Sequence, residues 1–194
     1  MGANIHPITR IACVSIALVM LTACASFRTA DNELDTAARQ VATQDMTLTA
    51  DATKVPNAAI TPQGDFLIAG KPAVLTPTQR EELLTYRAQY IAIAQQAIAI
   101  GHEGVDVGRR AVVPMVFAAL FGASDETIDA RMNERLAGVR KDTAKLCDRL
   151  PRFKRTQDQL AADLPAFKPY ATLTPRKVDE CRDDALKSLN VADN

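Results

Sequence analysis

The side chains that most often carry catalysis are scarce in this sequence. The chain has two histidines, His6 and His102. A serine or cysteine nucleophile needs a neighbouring base, usually histidine, and a zinc site needs several His or Cys ligands. His102 begins the string HEGVD, which comes close to the zinc motif HExxH but has Asp106 in place of the second histidine. We therefore predict no catalytic residue, no bound metal and no cofactor.

The string GDFLIAGK at residues 64–71 has the outline of a phosphate-binding loop. Five residues instead of four separate its glycines, and Pro72 stands where Ser or Thr would bind magnesium. The string therefore predicts a turn and no nucleotide site. The chain has 23 Lys+Arg and 23 Asp+Glu, so it lacks the basic excess of nucleic-acid-binding proteins and we predict no nucleic-acid partner.

Cys24 follows a hydrophobic segment of the kind that directs export. Residues 11–21 (IACVSIALVML) carry no charge; this segment fits the ~7–15 apolar residues of a signal peptide and is shorter than the ~20 of a membrane span. Residues 21–24 (LTAC) resemble the lipobox of bacterial lipoproteins, which implies removal of residues 1–23 and acylation of Cys24. No Asp follows Cys24, which by the same resemblance implies the outer membrane. An ordinary cleaved signal peptide is the alternative.

Two cysteines remain once Cys13 leaves with the signal peptide and Cys24 carries lipid. Because the implied compartment is oxidising, we predict that Cys147 and Cys181 form a disulfide. A loop of 34 residues would stabilise the fold by about 3.8 kcal/mol in the chain-entropy model. A nucleophilic thiol or a zinc ligand is less favoured, since no histidine is near in sequence.

The strongest charge signal lies at residues 131–155, which carry nine Lys+Arg against three Asp+Glu. Four of these cations share one helical face: Lys141, Lys145, Arg149 and Arg152. The face can bind an acidic partner or anionic lipid, or it can be solvated and paired within the chain. The predicted disulfide favours internal pairing, because it would bring acidic residues at 179–184 close to this face.

The longest apolar run of the mature chain is residues 111–121 (AVVPMVFAALF), preceded by Arg109 and Arg110. As a helix it would be about 16 Å long, which is too short to cross a ~30 Å hydrocarbon core. A core helix is the favoured interpretation. The alternative is an apolar hairpin that dips into a membrane or docks a partner, with the two arginines at the headgroups.

The positions of turns and helix caps predict the elements between these residues. Residues 24–44 are polar and small, and we predict a flexible tether. Pro and Gly turns predict a hairpin at 57–75, with a third strand at 45–50. Thr76, Pro77 and Gln79 predict the start of a long helix that ends at Gly101. The further predictions are a glycine joint at 101–108, a short apolar helix to 121, a third helix capped by Ser124 and kinked near Pro151, a last helix at 174–189, and frayed residues 190–194.

Residues 60–90 (ITPQGDFLIAGKPAVLTPTQREELLTYRAQY) resemble the YggN-like family of bacterial envelope proteins of unknown function. The likeness covers roughly residues 57–165, including the Leu146-Cys147 pair. It implies an envelope location and a mixed strand and helix domain, and it assigns no catalytic residues.

Together these features predict a single domain at 45–189 of the α+β class, predominantly α. We expect a short antiparallel β-hairpin or meander followed by an antiparallel helical domain with long amphipathic helices. The predicted function is that of a lipid-anchored, non-enzymatic structural or interaction module of the cell envelope. The alternative is a membrane-active or lipid-handling protein that contacts anionic headgroups through its basic third helix and the apolar segment 109–121.

Overall fold

A computed structural model describes residues 26–52, 54–121 and 125–190, with the backbone alone at 112–121, 125–132 and 135. The fold is α+β and predominantly helical, as predicted. Its elements are α1 (26–43), β1 (Met46–Leu48), β2 (Ala58–Ile60), β3 (Phe66–Ile68), β4 (Lys71–Pro72), α2 (Pro77–Phe121), α3 (Asp125–Cys147), α4 (Leu150–Asp163), a 3₁₀ helix (Pro165–Tyr170) and α5 (Pro175–Asn190). The predicted signal peptide, Cys24, Ser124 and residues 191–194 lie outside the described residues.

The four strands form an antiparallel meander in sequence order. Ala58 pairs with Leu48 on one side and with Ile68 on the other. The turn between β3 and β4 consists of Ala69 and Gly70, with φ of 51° and 75°. Two positive φ angles match the twist of the paired strands, which is typical of a two-residue hairpin turn. The GKP sequence that predicted a turn therefore contributes its glycine to the turn and its last two residues to β4.

The predicted start of α2 is confirmed by a capping box. The Gln79 backbone N–H donates to Thr76 Oγ1 at 3.2 Å, and the Thr76 backbone N–H donates to Gln79 Oε1 at 3.0 Å. Each side chain thereby satisfies an N–H that the first helical turn leaves without a partner.

The predicted joint at 101–108 is wrong, because α2 continues through it for 45 residues in all. Two of its glycines lie against α1. A Cβ atom at Gly101 would lie 3.0 Å from the Leu34 side chain, and one at Gly108 would lie 3.1 Å from the Phe27 ring. The glycines therefore allow two helices to approach closely, and that packing offsets the roughly 1 kcal/mol that each glycine costs a helix relative to alanine.

The predicted flexible tether is likewise an α-helix over residues 26–43. Phe27, Leu34 and Val41 are seven residues apart and half-buried, so they form one stripe along α1. The prediction failed because these apolar residues are isolated in a polar sequence, and they find a surface to bury against only when α2 is present.

The substitution Gly101→Leu is expected to separate α1 from α2. The larger side chain would overlap Leu34 and destabilise the fold by about 1–3 kcal/mol, seen as faster hydrogen exchange at the amides of residues 29–43. Gly104→Leu is the matched control, because a Cβ atom there has no neighbour within 4 Å. Equal protection of α1 in both variants would contradict the packing described.

α3 and α4 run one after the other along α2, antiparallel to it. Three hydrogen bonds mark the register from one end to the other: Gln96 Nε2 to the Asp142 carbonyl (3.3 Å), Thr156 Oγ1 to Gln89 Oε1 (3.1 Å) and Gln79 Nε2 to the Asp163 carbonyl (2.7 Å). A turn at 148–149 separates α3 from α4, and Pro151 lies in the first turn of α4. Proline there breaks the helix where a kink was predicted.

The main core lies where the sheet meets the N-terminal half of α2, α4 and the 3₁₀ helix. Phe66 and Phe167 are fully buried; Tyr86 stacks on Phe153 with ring centroids 4.7 Å apart. Buried Gln157 makes two hydrogen bonds with the backbone of Leu173, which holds the segment before α5. We call this region the sheet end of the molecule.

Candidate interaction surface

The four predicted cations do not form one continuous stripe. Lys141 and Lys145 lie on α3, whereas the turn at 148–149 places Arg149 at the end of that turn and Arg152 on α4. Lys145 is ion-paired with Asp142 of its own helix at 2.6 Å. The two arginines instead line a groove between α2 and α4.

This surface, the α2–α4 groove, encloses about 690 Å³. Its apolar part consists of Ala88, Ala92 and Ile93 of α2 and Phe153 of α4. The two alanines are exposed, and their small side chains leave space between the helices. The volume lies within the ~300–1,000 Å³ that is usual for ligand sites.

Arg149 and Arg152 supply positive charge at the rim of the α2–α4 groove. Both are exposed, and neither side chain has an ion pair or hydrogen bond with any described residue. Asp148 lies on the same rim and is the single acidic residue of the lining. A ligand carrying two negative groups and one donor would complement these three side chains.

The disulfide between Cys147 and Cys181 is confirmed, with the two Cα atoms 5.7 Å apart. It does not lead to the internal pairing that the sequence favoured. Glu180 pairs with Arg176 and Asp184 with Lys187, all within α5. Among the described residues, no ion pair joins α5 to any of the four cations, because the acidic side chains face the solvent on the outer side of α5.

Arg109 and Arg110 both pair with Asp106, which lies about one turn earlier in α2 at i,i+3 and i,i+4 spacing, and Arg110 does so at 2.6 Å. Both arginines remain more than half exposed. They lie beside the start of α1, which follows the predicted lipidation site, Cys24, by two residues in the sequence. We call this the anchor end. The side chains of 112–121 lie outside the described residues, so the choice between core and membrane contact stays open.

His102 binds α1 to α2. Its Nδ1 lies 3.2 Å from the Asp31 carboxylate, and its Nε2 lies 3.4 Å from that of Asp35. The two nitrogens of one ring point in opposite directions and cannot share one metal ion. No group of three or more His, Cys, Asp or Glu side chains suited to a metal is found in the part of the chain that the structure describes.

Arg87 makes a structural contact that the sequence analysis missed. This side chain is buried, and its Nη2 donates to the carbonyls of Ala42 (3.1 Å) and Gln44 (2.8 Å) at the end of α1. A cation at a helix C-terminus also interacts favourably with the helix dipole. No sequence pattern indicates this role, because the two carbonyls lie more than 40 residues from Arg87 along the chain.

A second cleft of about 420 Å³ continues the α2–α4 groove toward the sheet end, and the two meet at Thr85. Its lining includes Glu81 and Glu82 of α2 and Arg155 of α4. Desolvation, followed by the nearby Asp163 carboxylate, raises the pKa of Glu82. Glu81 and Glu82 share one wall of the cleft, whereas paired-carboxylate hydrolysis needs two acids that flank the substrate.

Comparisons with protein-family models, with curated proteins and with solved structures give no significant match for this chain. The YggN-like resemblance stays a prediction from the residues that carry it. Of the helices that the structure describes, none has the length and apolar composition needed to cross a membrane.

Proposed function

We propose that this protein is a bacterial lipoprotein of the outer membrane, anchored through Cys24, that binds a partner in the periplasm and catalyses no reaction. The docking of α1 onto α2 is the observation that carries this proposal. Phe27 packs at Gly108 and Leu34 at Gly101, so α1 leads from the lipid-bearing residue into a rigid helical bundle. Such a bundle suits a protein that presents a binding surface at a fixed distance from a membrane.

The distances support this arrangement. Cys24 precedes Phe27 by three residues, which can span at most about 11 Å. The lipid would therefore enter the membrane close to the anchor end. The part of α2 between Ala92 and Gly108 is about 24 Å long, so the α2–α4 groove would stand well clear of the headgroups.

Cys24→Ala is expected to abolish acylation and to move the protein from the membrane fraction to the soluble fraction. Two or three acyl chains, at about 0.8 kcal/mol per buried CH₂, provide the anchoring that a single contact cannot. Metabolic labelling with a fatty acid, followed by fractionation, measures both effects. Cys13→Ala is the matched control and should keep the label, because Cys13 belongs to the predicted signal peptide. Equal labelling of wild type and Cys24→Ala would overturn the anchor.

The second candidate function is membrane contact through residues 109–121, and one observation favours it. The C-terminal part of α2 extends beyond Gly108 at the anchor end by about 20 Å. Three acidic residues, Asp125, Glu126 and Asp129, follow at the start of α3. Since a charged residue at the bilayer centre costs about 2.5–3.5 kcal/mol, this contact would be limited to the headgroup region. A Cys24→Ala protein that loses its label but stays on membranes would support this candidate.

The membrane-active alternative needs two surfaces, the basic face of α3 and residues 109–121, and these are separated along the bundle. The Asp142 carbonyl, between Lys141 and Lys145, contacts Gln96, and Gln96 is about 18 Å along α2 from Gly108. This distance exceeds the screening length of roughly 8–10 Å at physiological salt. The basic face of α3 is therefore poorly placed to reach the headgroups of the membrane that holds the anchor.

A further inference from the structure

We infer that the α2–α4 groove binds an amphipathic helix of a partner protein, with acidic side chains that pair with Arg149 and Arg152. The inference deepens the proposed function by assigning its binding surface and the chemistry of its partner. The inference depends on the proposed anchor in one respect: an anchored protein would hold the groove clear of the headgroups, which excludes lipid as the occupant. The binding itself involves residues far from Cys24.

The shape of the groove fits a helix. Two antiparallel helices packed side by side leave a furrow along their contact, and a third helix can lie in such a furrow. Together with the adjoining cleft, the furrow runs along α2 from Thr78 to Ile93. This length is about 22 Å, or four helical turns. The exposed alanines at 88 and 92 lie one turn apart, so apolar side chains of a docked helix can enter beside them.

The charges define the occupant further. Arg149 and Arg152 are exposed and have no ionic partner among the described residues, whereas eight other Lys, Arg and His side chains of the described residues do. An acidic side chain bound at the rim would gain charge-assisted hydrogen bonds from a guanidinium fork. Asp148, together with Glu81 and Glu82 in the adjoining cleft, disfavours a purely anionic surface such as a bilayer, and a peptide can offer these carboxylates a hydroxyl, an amide or a lysine.

The test uses the full-length protein and a synthetic helical peptide labelled with a fluorophore. The peptide has leucines at i, i+3, i+4 and i+7 and glutamates beside them, and anisotropy measures its affinity. A peptide of the same composition in scrambled order is the first control. We expect specific binding of the amphipathic peptide, weakened at high salt, with no comparable binding of the scrambled peptide.

Two protein variants locate the site. Arg149→Glu together with Arg152→Glu should weaken binding by at least about tenfold per arginine. Lys141→Glu together with Lys145→Glu is the matched control, because it makes the same change of charge outside the groove and should alter affinity by less than about threefold. Ala92→Trp should also abolish binding, since it fills the groove without changing the charge.

Several outcomes would overturn the inference: equal loss in the two charge-reversal variants, equal binding of the scrambled peptide, or unchanged binding by Ala92→Trp. In the Cys24→Ala protein, which carries no acyl chains, binding of vesicles containing phosphatidylglycerol that is lost on adding Arg149→Glu/Arg152→Glu, without peptide binding, would assign the groove to lipid. These results are independent of acylation at Cys24, so failure of the groove and failure of the anchor can be told apart.

Discussion

Phe167→Ala is expected to lower the free energy of unfolding by about 3–5 kcal/mol, the range seen when a buried aromatic side chain is truncated. Phe167 has no exposed surface. Its ring centroid lies 6.0 Å from that of Phe66 and 5.2 Å from that of Tyr86. The truncation removes two aromatic contacts and leaves a cavity between the sheet, α2 and the 3₁₀ helix. Urea unfolding followed by circular dichroism measures the change.

The size of this effect matters because domains of this kind are stable by only about 5–15 kcal/mol. Val74→Ala is the control, since Val74 is 99% exposed and its truncation should change stability by less than about 0.5 kcal/mol. A loss of under about 1 kcal/mol in Phe167→Ala would show that the core does not depend on this aromatic cluster. The sheet would then need another source of stability.

Removal of the disulfide is the second large effect. Cys147→Ala/Cys181→Ala should lower the free energy of unfolding by up to about 3.8 kcal/mol, the chain-entropy value for a 34-residue loop. α5 should lose most of its hydrogen-exchange protection, because it buries only Val178 and Ala185. Such a small apolar surface cannot hold a 16-residue helix against its loss of conformational entropy without the covalent link.

A reducing agent provides the control for this prediction. It should destabilise the wild type to the level of Cys147→Ala/Cys181→Ala and leave that variant unchanged. Two free thiols among Cys147 and Cys181 in the native exported protein would refute the disulfide. An α5 that stays protected in the variant would instead show that packing alone holds the helix.

Features that depend on neighbouring residues were predicted well. The capping box of Thr76 and Gln79, a turn that includes Gly70, and the last helix after Thr174 all rest on hydrogen bonds or backbone preferences within a few residues. The disulfide was predicted because the count of cysteines left one pair. The class of the fold followed from these local elements.

Features that depend on distant residues were missed. Residues 101–108 have the composition of a joint, and residues 24–44 have that of a tether. Residues 101–108 and 26–43 are nevertheless helical, because the two segments pack against each other. The groove was also missed, since Arg149 and Arg152 meet Ala88 and Ala92 only after α4 folds back along α2. Neither helix shows this surface on its own.

The sequence by itself determined where the chain turns, where α2 begins, which cysteines pair and where a lipid anchor is expected, because short-range bonding and composition decide these properties. Only the tertiary structure decided that α1 is a docked helix, that α2 is continuous and that two arginines border an open groove. Burial of isolated apolar side chains and close approach at glycine require a second helix, and its position is not encoded in any short segment.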